Sequence, residues 1–149
     1  MSGDARDSVF TPAEIAYLRE PALGRIATVG TDRQPHVTPV TFHYNEAEDA
    51  IDVGGIFWGA TKKWRDAQNN PKVTLLVDDV IGPPRRARAI EIRGTAERHE
   101  TGGDRINPRF PNFAPEFFRL RPTRIVAWGL EDEQTGTGQG FQVNARSVR

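Results

Sequence analysis

Gly59-Ala60-Thr61-Lys62-Lys63-Trp64-Arg65-Asp66-Ala67-Gln68-Asn69-Asn70-Pro71-Lys72-Val73-Thr74-Leu75-Leu76-Val77 reads in order as a strand end, a basic helix start, a helix stop and the next strand. Thr61 precedes two ammonium groups in a first helical turn whose unpaired backbone N–H groups already favour an anion. The stretch is suited to hold a phosphate. Its alternative reading is a solvated basic face made of Lys62, Lys63 and Arg65. Asn70-Pro71 stops the helix, since proline biases its predecessor away from helical geometry.

Upstream, Thr11-Pro12-Ala13-Glu14 combines a capping hydroxyl, a proline at the first helical position and a carboxylate three residues past the cap. It predicts a short helix over 12–19, with Ile15 and Leu18 as its apolar stripe. Residues 24–29 and 35–44 read as two strands joined by the turn Gly30-Thr31-Asp32-Arg33-Gln34, and 50–54 as a third strand closing a meander. Downstream, a fourth strand over 72–77 ends at Asp78-Asp79. A Pro83-Pro84-Arg85-Arg86 loop separates it from a fifth strand, where Arg88, Ile90, Ile92, Gly94 and Ala96 alternate with a more polar set. Residues 101–115 suggest an irregular lid around Phe110 and Phe113, with at most a brief helix near 116–120, and a sixth strand follows over 123–130. Many short strands and few helices favour a small antiparallel barrel over a parallel doubly wound sheet.

A chain of 149 residues with 37% hydrophobic residues is expected to form one domain, 1–149, with a flexible amino terminus over 1–9 and a Gly-rich tail over 131–149. Within that tail, 141–148 has the makings of a terminal strand or of a segment packed on a partner. The 20 basic and 20 acidic side chains cancel, so neither nucleic acid nor an anionic membrane is an expected partner. The absence of cysteine removes disulfides, thiolate catalysis and cysteine-ligated metals. With no apolar leader at Met1 and no run of the ~20 apolar residues that a membrane span requires, a soluble, cytoplasmic protein is expected. Gly136, Gly138 and Gly140 lack dinucleotide-fingerprint spacing, and His36 and His43 lack a third metal ligand.

The hairpin Ala27-Thr28-Val29-Gly30-Thr31-Asp32-Arg33-Gln34-Pro35-His36-Val37-Thr38-Pro39-Val40, followed by Thr61-Lys62-Lys63, Asn70-Pro71 and Ile125-Val126-Ala127-Trp128-Gly129, resembles the split β-barrel superfamily of pyridoxamine-phosphate-oxidase-like flavin and deazaflavin enzymes. It is most similar to the actinobacterial branch that uses the deazaflavin coenzyme F420, which includes reductases that finish tetracycline-type antibiotics. The resemblance implies a mainly β fold with short helices, a split β-barrel of six or more antiparallel strands. It further implies a homodimer with cofactor sites at the subunit interface. The cofactor ring would lie against Val37, Thr38, Pro39 and Val40, its phosphate region at Ala60, Thr61, Lys62 and Lys63, with Trp58 nearby. The positions that define a true pyridoxamine-phosphate oxidase substrate site have no recognisable counterpart.

In these terms Val37 and Val40 flank a donor-free Pro39 against a flat ring, and the Thr38 hydroxyl meets a ring heteroatom. The expected function is F420-dependent hydride transfer to a conjugated planar organic substrate. The alternatives are an FMN-binding oxidoreductase of the same fold, or a non-catalytic carrier of deazaflavin or a haem-like tetrapyrrole. His36, His43, Tyr44 or water would supply the proton, and the sequence does not choose among them.

Overall fold

The computed structural model describes residues 7–130 and 142–148. In chain order the elements are α1 (Pro12–Leu18), β1 (Gly24–Val29), β2 (Pro35–Asn45), β3 (Ala50–Gly54), a 3-10 turn (Trp58–Ala60), α2 (Lys62–Asn69), β4 (Lys72–Ile81), β5 (Arg86–His99), β6 (Phe117–Trp128) and β7 (Val143–Ser147). The strands are ordered β3-β2-β1-β4-β5-β6-β7, and β3 also pairs with β6, so six antiparallel strands close into a barrel to which β7 adds a seventh. Ile26, Ile51, Leu75, Ile90, Ile92, Phe118, Leu120 and Ile125 fill its interior and are wholly buried.

The barrel is split because β2 changes neighbours along its length. Residues 35–40 pair only with β1, whereas 41–45 pair with β3. The early half of β2 therefore keeps one open edge, where Pro35 and Pro39 lack the N–H that an additional strand would demand. α2 lies next to this end, burying Trp64 and Ala67.

α1 sits by its capping box, with Thr11 Oγ1 accepting from Glu14 N–H and the Glu14 carboxylate accepting from Thr11 N–H. Its buried residues are Glu14, Tyr17 and Leu18, while Ile15 is only partly covered. Glu14 is a buried carboxylate because Arg146 of β7 donates to both its oxygens, at 2.6 and 3.0 Å. Ser8 and Val9 bind the Asp49 carboxylate at 2.6 and 2.9 Å.

Three expectations about the strands need correction. Residues 116–120 supply no helix: Phe117–Trp128 is one long strand, paired with β5 throughout and with β3 through Phe118, Arg119 and Leu120. Tertiary pairing on both edges overrides the ambiguous local pattern, and Arg119 locks the closure by donating to both Asp52 oxygens at 2.9 and 3.3 Å. Likewise β4 does not end at Asp78-Asp79 but continues to Ile81, because each carboxylate finds a guanidinium on a neighbouring strand: Arg25 for Asp78 and Arg88 for Asp79. Arg86 belongs to β5 rather than to the preceding loop. Of the carboxyl-terminal tail, 143–147 forms β7 on β6, and the expected flexibility of 131–140 lies outside the described residues. No helix among the described residues is long and apolar enough to cross a membrane.

Candidate functional site

Thr61 is the extended N-cap of α2, and its hydroxyl accepts from Trp64 N–H at 3.3 Å while donating to the Trp58 carbonyl at 2.7 Å. That hydroxyl is committed to the frame. By helix geometry the amides of Lys62 and Lys63 are left without an intrahelical acceptor, with the positive end of the helix dipole behind them.

The two lysines diverge. Lys62 Nζ lies 2.8 Å from Asp66 Oδ2, one turn along the same helix, and Asp66 is buried facing Thr28. Its charge neutralises an internal carboxylate. Lys63 Nζ stands 4.9 Å over the Trp58 ring and has no acidic partner among the described residues. Burial alone holds the Lys63 ammonium below the usual lysine pKa range. Arg65 folds back onto the Ala60 carbonyl at 3.1 Å. The expected double cation thus resolves into one internally engaged lysine and one available lysine.

On β2 the two-residue repeat separates residues expected to act together. Val37 and Pro39 point outward, Val37 being 64% exposed, whereas Thr38 and Val40 point inward. Val37 and Val40 therefore do not flank one ring on a common face, because an odd spacing on a strand reverses the side. Trp58 is also buried, 5.1 Å from Phe118 in an edge-to-face contact, so its indole is part of the core, with Lys63 lying over its ring. Trp64 stacks on the same Phe118 ring at 5.8 Å.

Three buried side-chain polar atoms among the described residues have no hydrogen-bond partner: Thr38 Oγ1, Trp58 Nε1 and Arg98 Nε. They belong to β2, to the turn that leads into α2, and to an arginine whose guanidinium lies 4.0 Å over the Trp64 ring of α2. A buried unpaired polar atom is costly, and two of the three, Trp58 Nε1 and Arg98 Nε, belong to side chains gathered around Phe118 and Trp64 beside the α2 start. Nearby, the first α2 amides and Lys63 are the groups chemically suited to an anion, whereas the outward face of β2 at Val37 and Pro39 is apolar. No local pattern in the sequence marks Arg98 for this position. Only the β5 crossing brings it to Trp64.

A groove of about 810 Å3 lies further along β2, bordered there by residues 41–44 and elsewhere by Leu23, Asn107, Arg109 and Phe110, among others. Of the side chains expected to donate a proton, His43 lines this groove. Tyr44 also borders it, but its ring is buried and its hydroxyl donates to Asp49 at 2.8 Å, with burial the main cause of its raised pKa. His36 shares the inward side of the strand with Thr38. The loop phenylalanines divide their labour: Phe113 is buried and fixes the loop, while Phe110 stacks on it at 5.2 Å and keeps 40% of its surface exposed. Phe117 and Phe118 are core residues of β6. A second cavity of about 280 Å3 lies between Glu14, Trp128, Leu130 and β7. Neither cavity takes a lining residue from 37–40 or 58–63. Among the described residues no group of three or more His, Cys, Asp or Glu is placed to hold a metal ion.

Compared with known proteins, residues 10–135 match the pyridoxamine 5'-phosphate oxidase family. A 5a,11a-dehydrotetracycline/5a,11a-dehydrooxytetracycline reductase from Streptomyces rimosus is 43% identical over 141 residues, 93% of each chain. Among solved structures, a heme binding protein from Mycobacterium smegmatis superimposes with a TM-score of 0.61 at 16% identity, covering 91% of this chain and 55% of that one. An F420 reductase superimposes with a TM-score of 0.54 at 20% identity, covering 74% of this chain and 93% of that one. At such identities the two structures share the fold.

Proposed function

This chain belongs to the pyridoxamine 5'-phosphate oxidase family, and we propose on that premise that it is an F420-dependent reductase that delivers hydride to a conjugated planar organic molecule. Its oxidoreductase character follows from a reductase 43% identical along nearly the whole of both chains. The dependence on F420 is supported by a solved F420 reductase of the same fold, and by the chemistry of the α2 amino terminus. The observation that carries the reading is Lys63, a half-buried ammonium without an acidic partner among the described residues, at a helix start flanked by unpaired polar atoms.

In this reading Lys63 and the first amides of α2 hold the anionic handle of the cofactor, and Ala60 leaves room beside them. Val37 and Pro39 offer an apolar, donor-free strand face to the ring. Thr38, on the inward side of the strand, faces away from that surface, and its unpaired hydroxyl takes no part in holding a ring on Val37 and Pro39. Reduced F420 supplies a hydride from a ring carbon when bound. What the chain adds is alignment, exclusion of water and a proton source, and His43 is the titratable side chain on the outward face of the same strand. The exposed apolar residues Val37, Ile56 and Phe57, the last 77% exposed, favour a homodimer in which a second copy covers the cofactor edge.

Parallel titrations with F420 and FMN test the assignment, read by cofactor absorbance and tryptophan fluorescence. Saturable F420 binding that weakens in Lys63→Gln is expected. Near-stoichiometric FMN loading with no response to F420 would move the chain to the flavin-binding alternative, and F420 binding without turnover of any acceptor would leave a carrier.

A further inference from the structure

We propose that the groove bordered by β2, the α1–β1 connection and residues 107–110 is the acceptor subsite of this reductase, and that it takes a flat, apolar-faced molecule bearing an acidic oxygen. The inference rests on the F420 reading above and extends it from the cofactor to the substrate. Its volume of about 810 Å3 falls within the range of about 300–1,000 Å3 typical of small-molecule sites.

Position comes from strand geometry. Thr41 and His43, which line the groove, continue the outward row begun by Val37 and Pro39, at ~7 Å for each two-residue step. A molecule seated over Thr41 and His43 therefore abuts a ring lying on Val37 and Pro39.

Chemistry comes from the opposite wall. Phe110 is backed by Phe113 at an interplanar angle of 4°, which fixes its orientation and leaves its ring partly exposed to stack on a planar ligand. Leu23, 57% exposed, provides a second apolar surface. Two arginines line the groove, and Arg19 is already paired with Glu46 at 3.4 Å. Arg109 has no acidic partner among the described residues, so its guanidinium is the cation available to an acidic oxygen. The turn that presents it is built locally: the Asn107 side chain accepts from Arg109 N–H at 2.9 Å and the Asn107 carbonyl from Phe110 N–H at 2.9 Å. The loop is anchored at its base, where Gly103 N–H donates to the Pro115 carbonyl at 2.7 Å and Ala114 N–H to that of Gly55 at 2.8 Å. The aromatic face, and the backbone from which the cation extends, are thus held in place before any ligand arrives.

The test uses anthraquinone-2-carboxylate and its neutral carboxamide as probes, titrated calorimetrically into the full-length protein. Wild type is expected to bind both. Arg109→Gln should weaken the carboxylate about tenfold and leave the carboxamide unchanged, whereas Phe110→Ala should weaken both about tenfold. Leu23→Asp, on the opposite wall, gives a second reading should Phe110→Ala unsettle the loop, and circular dichroism verifies each fold. Absence of probe binding to wild type, or equal affinities across folded variants, would overturn the proposal. Saturating F420 should leave probe affinity intact, and competition between them would overturn the placement beside the ring. If F420 fails to bind while the probes keep their dependence on Arg109 and Phe110, the cofactor reading falls alone.

Discussion

Lys63 carries its ammonium over an indole face, partly stripped of water, with no carboxylate among the described residues to compensate it. Desolvation favours the neutral amine, so an anion placed at the α2 start must draw a proton onto Lys63 wherever the free group is deprotonated. Affinity for the anionic cofactor should therefore be greatest at neutral pH and decline with rising pH, beginning below the range in which an ordinary lysine titrates. Lys63→Arg should keep the binding and abolish this alkaline decline, since a guanidinium stays charged throughout. Fluorescence titration of F420 across pH 7–10 would check it. For folding the sign is opposite: the unfolded chain binds more protons between the lowered pKa and the ordinary one, so the penalty of burying the Lys63 ammonium fades as pH rises through that window. Lys62 behaves differently, because its partner is internal. Lys62→Met should lower stability by about 1–3 kcal/mol through the stranded Asp66 carboxylate, with a smaller effect on cofactor affinity than Lys63→Gln, measurable by urea unfolding and by the same titration.

Among elements, the β5–β6 ladder carries a register shift between Arg93 and Gly94, where the strand bends around the barrel. A Cβ on Gly94 would collide with the Arg121 carbonyl oxygen, a backbone atom that cannot swing aside. Gly94→Ala is expected to cost about 2–4 kcal/mol, read as a lowered urea midpoint, without altering the chemistry of the site in the protein that remains folded. The cap of α2 joins stability to function more closely. Thr61→Ala removes the acceptor for Trp64 N–H and should cost about 1 kcal/mol, and it loosens the turn that presents Lys63. Thr61→Ser should restore both unfolding midpoint and F420 affinity. Phe117–Trp128 shows the limit of local reading: Phe-Phe-Arg-Leu carries no turn or period signal, and becomes strand because β3 and β5 pair with it from either side.

Across the whole molecule, closure depends on polar clamps between distant segments. Arg146 joins β7 to the buried Glu14 of α1 and to the Val9 carbonyl at 2.7 Å. Arg146→Ala leaves that carboxylate buried without its guanidinium, and is expected to destabilise the protein by about 3–5 kcal/mol and to release β7, seen as lost amide-exchange protection over 143–147. Assembly belongs to the same scale. Sedimentation should give a dimer, and Phe57→Asp should shift it toward monomer while weakening F420 binding; a monomer with undiminished turnover would contradict the shared site.

The meander, the basic helix and its capping residues were legible in the chain itself, because caps, turns and two-residue alternation are short-range preferences written within a few neighbouring residues. So was the concentration of basic residues at the α2 start. What only the folded molecule decided was use: which lysine is engaged with Asp66, that Val37 and Val40 face opposite ways, that Trp58 is buried, and that Arg98 and Arg109 come to Trp64 and to the groove. Those outcomes depend on contacts between segments far apart in sequence, where burial and pairing set the free energy and no local pattern records the partner.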